Sequence, residues 1–317
     1  MIPLSSSSVP LPASLPLLVG VSTRALFQLE EENRIFETEG WIAYEELQLE
    51  REQVVLEPGA AFDVVRRLLA LNDRTNCDNV EVILLSKNSP NLSLRALNSA
   101  EKLGIDVRRG SFTSGRAVAP YVDAWGIDLF LSNDDSDVRA AVGGGTAAAR
   151  LGAAPARLSD VSDDEVRIAF DGDAVVFSPE SDKIYADQGL EAFLEHERRN
   201  AQVPMKSGPF GKFLHKLAVL RNTFMREDGT SRVRIAIVTA RNAPAHERVI
   251  HTLRAWGTPA DEAHFVGRHA KAPFLKAFGA HIFFDDQESH VLGAGSVVNA
   301  GLVPGPHSPG KLVIPAG

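Results

Sequence analysis

Val166-Arg-Ile-Ala-Phe-Asp-Gly-Asp-Ala-Val-Val-Phe177 indicates the architecture of the chain. Its first five residues form a short run rich in β-branched and aromatic side chains, the pattern of a strand buried on both faces of a parallel sheet. Asp171 and Asp173 follow two positions apart, so in an extended backbone both carboxylates point to the same side. Gly172 allows a tight turn and a close approach to a ligand. The stretch predicts a buried strand that delivers two carboxylates to a site.

Two further apolar runs have the same character, Val233 to Val238 and His281 to Phe284. Helix-like sequence separates the runs, and alternation of strand and helix predicts an α/β fold of doubly wound parallel sheets with helices on both faces. In such sheets, ligands bind at the carboxyl ends of the strands. The residues that follow each run are therefore the candidates for chemistry.

Those residues form an ordered set. Thr239 and Arg241 offer a hydroxyl and a guanidinium to an oxyanion, Lys271 is a cation suited to phosphate, and Asp285 with Asp286 suits a hard cation such as Mg²⁺. Each piece alone has an ordinary explanation, such as a surface turn, a helix cap or a solvated cation. The order of acid pair, Thr, Lys and acid pair after successive strands predicts a functional site.

The chain also matches itself. Residues 19 to about 138 align with 168 to about 291 at a shift of roughly 150, which predicts two tandem pseudo-repeats of one α/β unit. The first copy has Val21, Thr23, Val118, Ser132 and Asn133 in place of the acid pairs and the lysine. We therefore expect the first copy to lack the chemistry of the second, with Arg24, Asn88 and Arg116 left as contacts for the substrate.

The predicted organisation has four parts. Residues 1–18 are expected to be a disordered N-terminal arm, and 304–317 a flexible C-terminal tail. Residues 19–150 form the degenerate repeat. Residues 151–303 form the catalytic domain, with a helical cap inserted at about 178–230.

Composition narrows the class of protein. The 317 residues include 33 basic and 41 acidic side chains, and a net charge of -8 argues against nucleic acid as a partner. Cys77 is the single cysteine, which excludes an intrachain disulfide. No segment approaches the roughly 20 apolar residues that span a bilayer, and the start of the chain makes a poor signal peptide. We expect a cytoplasmic protein that does not bind membranes.

The motifs resemble those of the haloacid dehalogenase superfamily, and more closely those of the cytosolic 5'-nucleotidase type I family. The resemblance covers roughly residues 19 to 300, although Val175 replaces a Thr that many superfamily members have, and the C-terminal tail matches nothing. The segments that carry the resemblance are Phe170-Asp-Gly-Asp-Ala-Val-Val-Phe-Ser178, Gly189-Leu-Glu-Ala-Phe-Leu-Glu-His-Glu197, Ser207-Gly-Pro209, Val238-Thr-Ala-Arg241, Thr252-Leu-Arg-Ala-Trp-Gly257, Ile282-Phe-Phe-Asp-Asp-Gln287 and Val21-Ser-Thr-Arg-Ala-Leu-Phe27.

This resemblance implies roles for the candidates. Asp171 would attack phosphorus and form an aspartyl-phosphate, and Asp173 would act as general acid and then as general base. Thr239 and Lys271 would bind the nonbridging oxygens. Arg241 would help, although an ordinary surface arginine is an alternative.

The resemblance also implies a metal and a cap. Mg²⁺ would be held by Asp171, the backbone carbonyl of Asp173, and Asp285 with Asp286. In the cap, Phe193, His196 and Glu197 would contact the nucleoside. The alternative places Phe193 in the packed face of a helix and the other two on its solvated face.

The function implied is a Mg²⁺-dependent 5'-nucleotidase that hydrolyses nucleoside 5'-monophosphates such as AMP, IMP or deoxynucleotides, and the enzyme could form a homo-oligomer. A phosphatase or phosphotransferase of the same chemistry acting on another small phosphomonoester is the alternative, because the motif residues handle only phosphate.

Overall fold

A computed structural model describes residues 15–72, 78–152 and 164–306. Cys77, the N-terminal arm before residue 15 and the tail after residue 306 lie outside the described residues. The strands in these ranges are β1 (Leu17–Ser22), β2 (Val80–Ser86), β3 (Val107–Phe112), β4 (Leu129–Ser132), β5 (Ala147–Leu151), β6 (Val166–Phe170), β7 (Val233–Thr239), β8 (Glu262–Phe265), β9 (Ile282–Asp285) and β10 (Asn299–Leu302).

Helices fill most of the connections between the strands. They are α1 (Thr23–Leu26), α2 (Glu30–Glu39), α3 (Trp41–Glu50), α4 (Phe62–Leu69), α5 (Ser93–Lys102), α6 (Ala119–Ala124), α7 (Asp135–Gly143), α8 (Glu180–Arg199), α9 (Gly211–Thr223), α10 (His246–Trp256), α11 (Ala272–Phe278) and α12 (Glu288–Ala294), with a 3₁₀ turn at Pro90–Leu92. None of these helices is both long and apolar enough to cross a membrane, among the residues that the structure describes.

The strands form one sheet in the order β3-β2-β1-β4-β5-β10-β9-β6-β7-β8. We call β1–β5 the N-terminal half and β6–β10 the C-terminal half. Pairing is parallel within each half, and the halves meet in antiparallel register where Gly301 faces Leu151. The prediction of an α/β fold with mostly parallel pairing is confirmed, but one continuous mixed sheet replaces the separate parallel sheets expected. The tandem repeat stays a prediction.

Helices cover both faces of this sheet because successive side chains of a buried strand point to opposite faces. On β6, Ile168 and Phe170 join the core beneath α4, α5, α9 and α10, while Ala169 joins the core beneath α11 and α12. A third apolar cluster lies beneath α6 and α7. The sheet is therefore the middle of three layers.

Helix α9 ties the two halves together. Its apolar residues Phe213, Leu214, Leu217 and Leu220 recur at helical spacing and are all buried. The helix contacts β7 of the C-terminal half and also β1 and β5 of the N-terminal half. Although α9 falls inside the stretch predicted as a cap, it packs on the sheet.

The antiparallel joint between β5 and β10 has one consequence for function. The carboxyl ends of the strands, where ligands bind in parallel sheets, lie at opposite edges of the sheet in the two halves. Each half therefore presents its own edge site, and the two edge sites face in opposite directions.

Candidate active site

Three neighbouring strands bring polar residues to one edge of the C-terminal half. β9, β6 and β7 run side by side and parallel. Asp285 and Thr239 are the last residues of β9 and β7. Asp171 directly follows β6, and its backbone N–H donates to the carbonyl of Phe284 at 2.8 Å. The structure thus brings together the first acid, the threonine and the terminal acid pair, as their positions after strands predicted.

Lys271 lies between two of these acids. It is the N-cap residue of α11, and its Nζ is 2.8 Å from Oδ1 of Asp171 and 2.6 Å from Oδ2 of Asp285. Burial lowers the pKa of the Lys271 ammonium, but the charges of the two aspartates outweigh this and leave the pKa raised. The site therefore contains a buried lysine whose charged form is favoured by two neighbouring aspartates.

Three buried carboxylates can converge on one metal ion. Asp171, Asp285 and Asp286 each offer an oxygen, and these oxygens lie within 4.8 Å of one another. Burial, and then the neighbouring acids, raise the pKa of Asp286 to about 8. Burial also raises the pKa of Asp171 to about 7, against the opposing effect of Lys271. This cluster of hard oxygen donors with excess negative charge fits Mg²⁺.

The carboxylate of Asp285 is held from several sides. Besides Lys271, the backbone N–H of Gln287 donates to it at 2.9 Å, and Nδ1 of His290 lies 3.2 Å away. Burial raises its pKa, but Lys271 and His290 outweigh this and leave the pKa lowered. Asp285 is therefore the member of the cluster that stays ionised most readily. His290 had no predicted role, and a lone histidine in a short helix gave no signal.

Arg241 is buried at the centre of the site, which excludes the surface arginine considered above. Its Nε and Nη2 donate to both carboxylate oxygens of Asp173, each at 2.7 Å, and its Nη1 donates to Glu197. Burial lowers the pKa of the guanidinium, but Asp173 and Glu197 outweigh this and leave the pKa raised. Asp173, the second acid of the motif, is thus held in place by a bidentate ion pair with Arg241.

Glu197 connects this arginine to α8. The carboxylate is 1% exposed and accepts from Ser181 Oγ at 2.8 Å and from Arg248 Nη1 at 3.0 Å. It does not lie on a solvated face. Ser181 and Arg248 were missed as site residues, although the match of Arg248 with Arg95 in the first copy was a signal that could have found it.

The other two predicted cap residues lie beside this network. The ring of Phe193 has the Arg241 guanidinium 5.5 Å from its centroid, within the range of a cation–π contact. His196 Nε2 is 3.1 Å from Arg248 Nη1, and the ring is partly exposed. Both side chains are therefore close to Arg241 and Arg248, so α8 contacts the site through Phe193, His196 and Glu197.

The backbone of the acid motif turns sharply. The N–H groups of Val176 and Phe177 both donate to the carbonyl of Gly172, and Ala174 has φ 59°. A Cβ at Gly172 would lie 3.2 Å from Oγ1 of Thr239, so glycine permits the close approach. Val175, the departure from the superfamily pattern, is fully buried.

The substrate contacts predicted in the first copy are not brought to this site. Arg24 and Asn88 lie at the strand ends of the N-terminal half, where Arg24 pairs with Glu30 and Asn88 accepts from the hydroxyl of Tyr44 at 2.7 Å. Arg116 is exposed on the loop after β3. Because the halves are antiparallel, that edge faces away from Asp171, so within one chain these residues cannot contact a substrate held there.

Fold and site together define an α/β protein with a buried cluster of acids and a lysine at its strand ends. A family model described as 5'-nucleotidase matches residues 9–309. The chain therefore belongs to the 5'-nucleotidase family, which confirms the resemblance drawn from the motifs.

One curated relative and one solved structure illustrate how far similarity extends. The chain is 33% identical over 300 residues to human (Homo sapiens) cytosolic 5'-nucleotidase 1B, a match that covers 90% of this chain and 49% of the relative. The chain thus spans about half the length of that relative. Histidinol dehydrogenase from Elizabethkingia anophelis matches with 10% identity and a TM-score of 0.23 over 75% of this chain and 48% of that one, too weak a similarity to carry any argument.

Proposed function

We propose that this protein is a 5'-nucleotidase that hydrolyses nucleoside 5'-monophosphates to a nucleoside and phosphate. The observation that carries the proposal is the position of Lys271 between Asp171 and Asp285 at the strand ends, in a chain of the 5'-nucleotidase family. A buried cation beside a buried carboxylate nucleophile suits transfer of a phosphoryl group, because it offsets the charge of the phosphate.

The proposed reaction has two steps. In the first, a carboxylate oxygen of Asp171 forms a bond to phosphorus as the bond from phosphorus to the 5'-oxygen breaks, and that oxygen takes a proton from Asp173. In the second, Asp173 takes a proton from water while the water oxygen attacks phosphorus and the bond to Asp171 breaks. Phosphate leaves, and both aspartates return to their starting forms.

Residues around the two aspartates stabilise the transferring group. Lys271 and the hydroxyl of Thr239 bind nonbridging oxygens in this proposal, and their rigid, buried positions mean that little reorganisation is needed. We infer that Asp171, Asp285 and Asp286, with the backbone carbonyl of Asp173, hold Mg²⁺. When bound, the ion supplies positive charge that lets an anionic substrate approach a cluster of acids.

Asp173 must release Arg241 during turnover. Both carboxylate oxygens of Asp173 accept hydrogen bonds from the guanidinium, whereas the first step needs one of them free to carry a proton. Glu197 of α8 holds the same guanidinium, so movement of α8 would loosen the arginine from the acid. We propose that α8, the part of the predicted cap that does not pack on the sheet, is the lid over the phosphate site.

We also propose that the N-terminal half is a degenerate copy of the catalytic half. Both halves have the same strand order, β3-β2-β1-β4-β5 against β8-β7-β6-β9-β10. Gly40 between α2 and α3, and Gly189 within α8, share a backbone conformation, φ 86° with ψ -177° and φ 82° with ψ -177°. The first copy lacks the nucleophile, the lysine and the metal acids, so the proposed chemistry has no place there.

Activity against a panel of phosphomonoesters tests the proposal. Phosphate release from AMP, IMP, dCMP and a hexose phosphate would be measured with Mg²⁺ and after its removal. We expect the nucleotides to be hydrolysed, and only with the ion. Preference for the hexose phosphate would favour the alternative, a phosphatase or phosphotransferase for another small phosphomonoester.

Cellular location and oligomeric state are the last two parts of the proposal. We infer a cytoplasmic location, supported by the similarity to human cytosolic 5'-nucleotidase 1B, and retain a homo-oligomer as the form to examine in solution.

A further inference from the structure

A cavity of about 1010 Å³ lies at the strand ends of the N-terminal half. Its floor includes Ser22, Ser86 and Ser132, the last residues of β1, β2 and β4. This edge of the sheet faces away from Asp171. In addition, β1 and β6 are separated by five strand spacings of about 4.8 Å each. The cavity, which we call the N-terminal cavity, is therefore a separate site and not an extension of the catalytic one.

Aromatic rings form one wall of the N-terminal cavity. Phe36 of α2 and Trp41 and Tyr44 of α3 line it, and the rings of Phe36 and Tyr44 meet edge to face at 5.8 Å. Phe36 and Trp41 are 49% and 48% exposed. Large rings that remain half exposed around a concave site offer flat apolar surface for a planar ligand to stack on.

The charges of the N-terminal cavity argue against a phosphate. Both cations in the lining are already paired, since Lys87 Nζ lies 2.6 Å from Asp134 and 2.9 Å from Asp137, and Arg24 lies 2.6 Å from Glu30. The lining also contains Glu45 and Asp135. Carboxylates thus outnumber cations, and an anionic ligand would be repelled.

Several buried polar atoms of the lining have no hydrogen-bond partner among the described residues. They are Oγ1 of Thr23, Oγ of Ser89, Oδ1 of Asn133 and Oδ1 of Asp135. Buried polar groups are normally satisfied, and two hydroxyls with an amide oxygen and a carboxylate oxygen call for a ligand that carries both donors and acceptors. Ribose hydroxyls and the edge of a base carry both.

We propose that the N-terminal cavity binds an uncharged nucleoside, with its base against Phe36 and Trp41 and its polar groups on Thr23, Ser89 and Asn133. The choice of a nucleoside over a nucleotide follows from the charge of the lining. If the proposed function holds, the ligand is the product of the reaction, and the cavity senses product at a site remote from catalysis.

Isothermal titration calorimetry on the full chain tests this proposal. The Asp171→Asn chain is used so that AMP is not consumed, and it is titrated with adenosine, inosine, cytidine and AMP. We expect at least one nucleoside to bind. Trp41→Ala, added to that chain, should weaken its binding about tenfold, since loss of one aromatic stacking partner has an effect of this size. AMP can also bind at the catalytic site, so only AMP binding that Trp41→Ala weakens is assigned to the N-terminal cavity. The Kd of that binding should be at least about tenfold higher than the Kd of the nucleoside.

Leu190→Ala is the matched control. Leu190 is 52% exposed and follows Gly189 as Trp41 follows Gly40, but it lies on α8, which follows the acid motif in the C-terminal half. Nucleoside binding that is lost with Leu190→Ala and kept with Trp41→Ala would overturn the proposal, as would no binding of any nucleoside or a Trp41-dependent preference for AMP. Nucleoside binding that depends on Trp41, together with no phosphate release by the unsubstituted protein, would support nucleoside binding in the N-terminal cavity and refute the proposed nucleotidase activity.

Discussion

The guanidinium of Arg241 donates hydrogen bonds to both carboxylate oxygens of Asp173 at 2.7 Å and donates a third to Glu197. Two segments that follow strands and one helix, α8, thus meet in a buried chain of charged groups. In the proposed reaction, the acid that moves a proton is therefore coupled to the helix that we propose as the lid. This coupling makes Glu197 the residue through which α8 can affect catalysis without touching the phosphate.

Glu197→Gln should lower kcat by about 10- to 100-fold, because misplacement of a positioned group by about 1 Å can cost about 100-fold in rate. The amide keeps the shape of the side chain but cannot pair with Arg241 and Arg248 as a charge. Steady-state kinetics with AMP measures the effect. Glu195→Gln is the control on the same helix, since Glu195 is exposed and, among the described residues, forms an ion pair with Arg199 alone. Equal kcat in the two variants would contradict the coupling.

Asp171→Asn should leave the chain folded and abolish turnover, since an amide oxygen does not form the acyl-phosphate at a useful rate. Phosphate release measures complete turnover, and mass spectrometry of acid-quenched protein measures formation of the aspartyl-phosphate. Asp187→Asn, an exposed acid of α8, controls for a change of charge. Substantial phosphate release by verified Asp171→Asn protein would show that Asp171 is not the nucleophile.

Stability without metal should fall as the pH rises from about 5 to about 8. The pKa values of Asp171 and Asp286 in the folded chain, about 7 and about 8, lie above the ordinary 3.8. In this range the folded chain therefore holds protons that the unfolded chain has lost, and raising the pH removes stability. Thermal unfolding in EDTA measures the slope, which Asp286→Asn should flatten.

Mg²⁺ should reverse that loss. Because the ion binds the deprotonated acids, we expect it to raise the unfolding midpoint more at pH 8 than at pH 6, and to restore activity after EDTA treatment. Equal shifts at the two pH values, or full activity in metal-free buffer, would count against a metal site at this cluster.

Gly189→Ala should destabilise the chain by about 1–3 kcal/mol, because φ 82° with ψ -177° is a region open essentially to glycine alone. Nothing lies within 4 Å of the position a Cβ would take, so the whole cost comes from the backbone. Gly293→Ala in α12 is the control, with no positive φ and equal space; it should be neutral or slightly stabilising. Equal midpoints for the two variants would show that α8 does not need its kink.

The parts of the fold and site that follow local chemical rules could be predicted from the sequence. β6, β7 and β9 are apolar runs with β-branched residues, and the acids, Thr239 and Lys271 follow them in order. The β5–β10 joint could not be predicted in this way, because Ala147–Leu151 and Asn299–Leu302 are short and poor in strand-forming residues. Their pairing depends on the tertiary fold.

Because the β5–β10 joint is not evident in the sequence, the candidate contact residues of the N-terminal half were expected to contact the same substrate as Asp171. A repeat match shows that Asn88 lies at a strand end, but not that this end faces the opposite way from Asp171. The burial of Arg241 was likewise out of reach, because its partner Glu197 lies 44 positions away. Long-range ion pairs leave no local pattern in one sequence.

Phe213→Ala should lower the stability of both halves together, by about 3–5 kcal/mol, since a fully buried ring leaves a cavity of its own size. The ring is 1% exposed and packs edge to face with Phe170 and Phe210 at 6.1 and 6.0 Å, while its helix α9 also contacts β1 and β5. One core shared by two halves should unfold in one transition, so calorimetry should give a single peak that moves to lower temperature. Amide exchange should show protection falling equally in β1 and in β6. Leu292→Ala, an exposed apolar residue of α12, should change neither measurement. Two separate peaks, or lost protection confined to the C-terminal half, would mean that the halves fold as independent domains and that α9 does not couple them.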